Sequence, residues 1–224
     1  MKYFLAVLRW FLWKEIAIEI RRKERFLSML VFSVGVIFLF HFSLPVIPAE
    51  KEAIVAGIIW VTLALSGILG LNRSMAIDLE DGHTDAILQA PVDRTAFFLA
   101  KVLSNACLML LTSAVLFPMI RLFLGVPIFY ATFFLVVLLG ILGYSIVGSI
   151  LAGMSMQTRM RDTMLSVLLF PVLIPLLVAA VKASAGIFSG AELQTITPWV
   201  QFVGVYDVIF FAVGIMIYPA VIEE

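Results

Sequence analysis

Side chains that could do chemistry are scarce in this chain of 224 residues, and most of the polar ones that sit together fall in one run. That run is Asp78-Leu79-Glu80-Asp81-Gly82-His83-Thr84-Asp85-Ala86-Ile87-Leu88-Gln89-Ala90-Pro91. Its order is that of a helix end followed by one short helix. Gly82 can take the left-handed conformation that stops a helix. Thr84 can cap the next one, and Pro91 forbids its continuation. Ile87 and Leu88 then stand on a stub of about two turns, with Glu80, Asp81 and Asp85 close by in sequence. An apolar centre with acidic neighbours suits a contact with a protein in the aqueous phase, not bond-making chemistry.

Other chemistry finds little to work with. There is no G-x-x-x-x-G-K-[ST] loop for phosphate, no H-E-x-x-H and no paired-cysteine pattern. Cys107, the one cysteine, can form no disulfide within the chain and reads as a small core residue. No catalytic residue, metal site or intrinsic cofactor is expected. The basic residues form one main cluster with no groove-reading motif around it, so nucleic acid is set aside.

The elements that carry these residues are apolar. Of all residues 63% are hydrophobic and 13% charged, more than a soluble domain of this size can hide, so the solvent is lipid. Six segments approach the ~20 residues a crossing helix needs: about 26–44, 53–71, 102–120, 128–153, 164–181 and 202–222. Residues 26–222 thus make a six-span domain, with a cytoplasmic region at 72–95 between spans two and three. The second span is expected to run on as a helix to Asp81, about 43 Å from Ala53. With the N-terminus inside, twelve Lys and Arg lie on the inner side, and only Lys51, Arg121 and Lys182 on the outer.

Residues 1–25 are too interrupted by charge for a cleaved signal, so the N-terminus is expected to be retained. They read as an amphipathic helix at the membrane surface. Leu12, Trp13, Ile16, Ala17 and Ile20 lie on one face, with Lys14, Glu15, Glu19, Arg21 and Arg22 turned away. The Arg21–Arg25 cluster is a topology signal or a contact for anionic lipid.

Spacing of four among Ser145, Ser149 and Gly153 allows close helix approach, within the chain or to another subunit. Pro171 and Pro175 favour a kink in the fifth span. Before span six, the residues up to Tyr206 read as a short outer-surface helix or one dipping in. Asp207 then falls at the outer leaflet or its edge, as a carboxylate facing water or as a functional group. His41 and His83 lie on opposite sides and cannot share a metal. His41 could ligate a haem iron near the outer surface; His83 supports the Gly82 turn or meets a partner.

The run Glu80-x-Gly82-x-Thr84-x-x-x-Leu88-x-x-Pro91, between the second and third of six spans, resembles the coupling region of ABC-2 type permeases. More closely, the chain resembles the CcmB family of haem exporter permeases of cytochrome c maturation. The features that carry this are Lys14-Glu15 to Arg25, Gly57-Ile58-Ile59-Trp60-Val61, Asp78-Leu79-Glu80-Asp81-Gly82, Ala90-Pro91 and Ala100-Lys101. The resemblance implies an all-α permease of the bacterial inner membrane, with both termini cytoplasmic and no nucleotide site. ATP would be bound by a separate ATPase subunit (CcmA-like), which Glu80, Asp81, Gly82, Asp85, Ile87 and Leu88 would contact. It also implies a homodimer, other maturation subunits (CcmC-like and CcmD-like), a periplasmic haem chaperone, and haem as substrate, with His41 and Asp207 as candidate contacts. Export of another amphipathic substrate and a non-transporting scaffold are the alternatives.

Overall fold

The computed structural model describes residues 2–43, 51–80, 94–155 and 161–223. Every regular element among them is a helix: α1 (Lys2–Arg22), α2 (Glu24–Ser43), α3 (Lys51–Glu80), α4 (Arg94–Leu124), α5 (Ala131–Ser155), α6 (Arg161–Phe188) and α7 (Leu193–Glu223). Helices α2 to α7 are long and apolar enough to cross a membrane. The chain is therefore an all-α, multi-pass membrane protein, as its composition requires.

Local sequence explains where the helices stop. Gly125 (φ 64°) follows α4 and is itself followed by Val126-Pro127, so the helix cannot continue. Gly190 (φ 70°) follows α6; Ala191 N–H donates to the Gly186 carbonyl at 2.9 Å and Gly190 N–H to that of Ile187 at 3.2 Å. These two bonds satisfy carbonyls that the helix end leaves without partners. Between α1 and α2 the break falls on Lys23, a non-glycine residue at φ 52°. Glu19 compensates there: its carboxylate accepts the Phe26 N–H at 3.1 Å and so caps α2.

Helix α3 has 30 residues, about 45 Å. That exceeds the ~30 Å apolar layer of a bilayer, so α3 has length to spare at the end that leads into residues 81–93. Helix α5 lies at the centre, packed along α3, α4, α6 and α7. Its small residues make room for large neighbours. The Tyr144 hydroxyl donates to the Ala64 carbonyl at 2.8 Å while its ring lies over Gly67. Trp60 Nε1–H donates to Ser184 Oγ at 3.0 Å, with its ring against Gly140. Gly148 accepts Leu71, Gly153 faces Tyr218, and Ser145 Oγ accepts from Asn105 Nδ2 at 3.3 Å. The small-residue stripe is thus used inside the chain, the first of the two roles its spacing allowed.

Three expectations change in detail. Cys107, expected to be a small core residue, is exposed on α4. The stretch before Asp207 is neither a separate surface helix nor a dipping one, because α7 is continuous from Leu193. In α1, Trp13, Ile16 and Ile20 are exposed, as a lipid-facing strip would be, but Lys14 and Glu15 do not turn to water. Helix α1 lies along α4, with Phe11 buried edge-on against Phe97 at 5.4 Å, and this contact turns both charges inward.

Candidate functional site

The inward face of α1 meets charges from three other helices. Lys101, in the second turn of α4, places Nζ 2.5 Å from Asp78 Oδ2 of α3 and 2.7 Å from Glu15 Oε1 of α1. Lys14 Nζ lies 3.4 Å from Asp78 Oδ1 and 3.8 Å from Glu15 Oε1. Arg25, at the start of α2, reaches Glu15 Oε2 with Nη1 at 3.4 Å and Glu19 Oε2 with Nε at 3.9 Å. Lys14, Arg25 and Lys101 balance Glu15, Glu19 and Asp78, so the cluster is neutral. Ser74 Oγ accepts from Lys101 at 3.3 Å, and Ser104 Oγ donates to Glu15 at 3.5 Å.

The cluster is buried. Asp78 is 1% exposed, and Glu15 and Arg25 are 3% exposed. Charges at that depth cost several kcal/mol each to desolvate, and only close partners offset it. Phe97 adds to the wall: the Lys14 and Lys101 ammonium groups lie 5.9 and 5.6 Å from its ring centre, within cation–π range. Arg25, Asp78 and Lys101, with Ser74, Asn105 and Tyr218, help line a cavity of about 20 Å³, room for about one water molecule. That is too small for an organic substrate. The arrangement is suited to holding four helices in register, not to binding or turning over a ligand.

The sequence-predicted residues fall around and away from this cluster. Helix α3 ends at Glu80, two residues past Asp78, while Asp81, Gly82, Asp85, Ile87 and Leu88 lie outside the described residues, as do His83, Thr84 and Pro91. His41 is exposed near the end of α2, its ring 5.1 Å from Phe42 and 5.2 Å from Phe123 of α4. Asp207 is not at a water-facing edge. It sits midway along α7 and is 9% exposed, facing Gly143 of α5 and Leu176 of α6, and neither carboxylate oxygen has a hydrogen-bond partner. The continuity of α7 is what moves it inward. Among the described residues no three His, Cys, Asp or Glu side chains are placed to hold a metal ion.

Sequence reasoning missed the cluster itself. Its members come from residues 14–25, 78 and 101, far apart in sequence, and all but Lys101 stand close to polar residues that explain a charge without a partner. The available signal was balance: three cations and three carboxylates, each at the border of an apolar helix. Three of the features that carry the family resemblance, Lys14-Glu15, Asp78 and Lys101, are the ones brought into contact here.

Comparison with known proteins agrees with that resemblance. Over 91 residues the chain is 34% identical to proteins named Heme exporter protein B from Escherichia coli (strain K12), Escherichia coli O157:H7 and Shigella flexneri. The matched stretch is 41% of this chain and 41% of each relative, so the chain spans less than half the length of the curated relatives it matches. The profile of the family described as CcmB protein matches far more, residues 5–223. That match reaches into all seven helices and takes in every member of the charge cluster, and on it the chain belongs to the CcmB family.

Proposed function

We propose that this chain is the membrane-spanning permease subunit of an ABC-type complex for cytochrome c maturation, and that residues 78–91 dock on a separate ATPase subunit. The observation that carries the reading is the family match over residues 5–223, whose relatives are named as haem exporters. The long α3 supports it, since its spare length leads directly into the docking stretch. Ile87 and Leu88 supply apolar area for the contact, Glu80, Asp81 and Asp85 meet basic residues of the ATPase, and Gly82 makes the turn. ATP is bound and hydrolysed by that partner, and its closing motion acts only if the contact differs in affinity between its two states.

The reading includes a homodimer facing two ATPase copies, in the bacterial inner membrane with both termini cytoplasmic. CcmC-like and CcmD-like subunits and a periplasmic haem chaperone complete the pathway. The ATP-driven step is haem export or release of the loaded chaperone. His41, with Phe42 and Phe123 beside it, and Asp207 are the residues proposed to meet the substrate.

The test is haem staining of periplasmic c-type cytochromes in a strain lacking this gene. Staining is expected to vanish, to return with the wild-type chain and not to return with Gly82→Val at equal membrane abundance. Persistent staining in the deletion strain would overturn the maturation role, leaving export of another amphipathic substrate as the working reading.

A further inference from the structure

Asp78 and Lys101 stand 23 positions apart, one on each side of the stretch 79–100, yet their side chains meet at 2.5 Å. The stretch proposed to contact the ATPase therefore has its two stems, the end of α3 and the start of α4, clamped together by an ion pair. The same two side chains also hold α1: Lys101 binds Glu15 and Asp78 binds Lys14. Through Glu15, Arg25 brings in the first turn of α2. Separating any one of these helices would strand a buried charge, which is strongly destabilising. A push on that stretch thus cannot be absorbed by splaying its stems.

We propose that Glu15, Arg25, Asp78, Lys101 and Lys14 form the transmission joint of the permease, through which displacement of the ATPase-facing stretch moves α1, the start of α2, the end of α3 and the start of α4 as one body. The inference rests on the coupling role proposed above and deepens it. The five residues are positioning residues: they act through that stretch and touch neither ATP nor substrate. Across the Lys23 break, the ion pairs of Arg25 with Glu15 and Glu19 and the Phe26 N–H bond to Glu19 hold the start of α2 to α1 within that body.

The experiment uses the full-length chain co-expressed with its ATPase subunit and compares the wild type with Asp78→Asn/Lys101→Gln, which removes one charge of each sign. The variant is expected to reach the membrane and co-purify the ATPase at wild-type levels, with ATP hydrolysis within two-fold. Cytochrome c yield should fall at least ten-fold. Lys101→Arg, which keeps the charge, should hold yield within three-fold. Should the double variant fail to insert, Lys14→Gln/Glu15→Gln, which detaches α1 but leaves the Asp78–Lys101 clamp, carries the test on the same criteria. Wild-type yield in an inserted charge-removed variant would overturn the joint. Failure of the wild-type chain to co-purify any ATPase would instead overturn the coupling role itself, so the two failures are distinguishable.

Discussion

Two buried carboxylates in this molecule live in opposite surroundings. Asp78, near the end of α3, is met by two ammonium groups within a neutral cluster of six charges. Asp207, midway along α7, has a glycine and a leucine before it and no hydrogen-bond donor on either oxygen. Burial alone therefore says little about what an acidic residue does. At Asp78 the partners make the charge a structural tie whose loss strands a cation. At Asp207 there is no tie to lose, and the acid costs the fold stability. Selection for stability accounts for the first and not the second, which is why Asp207 remains a candidate for contact with something the described residues do not supply.

The contrast can be broken most directly at the cluster. Lys101→Met alone should destabilise the detergent-solubilised protein by about 3–5 kcal/mol, because Asp78 and Glu15 lose the nearer of the two ammonium groups they share. Combined with Asp78→Asn the loss should be clearly less than the sum of the two single losses, since the cluster regains balance; strict additivity in thermal or denaturant unfolding would show that the pair is not coupled. Asp207→Asn should go the other way, leaving stability unchanged or raising it by about 1–2 kcal/mol, as a near-isosteric neutral group replaces a carboxyl without donors. A loss as large as that of Lys101→Met would mean that Asp207 has a partner after all. The smallest effect is expected at the break between α1 and α2. Lys23→Gly relieves a left-handed backbone at a non-glycine residue and should stabilise by about 1 kcal/mol; a loss of stability would show that the Lys23 side chain contributes more than its backbone costs.

Much of the fold was legible in the sequence because lipid imposes a simple rule. Apolar runs near 20 residues must be helices whose backbone groups bond internally, and the six runs appear as α2 to α7. The ends were less legible. Helix α4 begins at Arg94, eight positions before its apolar run, and α7 begins at Leu193. A helix does not stop where hydropathy falls; it stops where a glycine or a missing hydrogen-bond partner ends the ladder. The same misjudgement made the stretch before Asp207 a separate surface or dipping helix and left a water-facing carboxylate as one of two readings for Asp207, which is 9% exposed. For the site, the stretch read from its Gly, Thr and Pro punctuation lies, past Glu80, outside the described residues, whereas Lys14 and Glu15 were assigned to water because a helical wheel cannot show what its polar face meets.

Composition, the spacing of apolar runs and the turn residues were enough, without any structure, to determine a six-span helical protein with one polar stretch between spans two and three. They could do so because burial in lipid and helix termination depend on residues near in sequence. Only the tertiary structure decided that Lys14, Glu15, Arg25, Asp78 and Lys101 share one buried cluster, and that Asp207 has no such company. Charges far apart in sequence become partners or strangers through helix packing alone, and that packing is set by how Gly140, Gly148 and Gly153 of α5 admit Trp60, Leu71 and Tyr218.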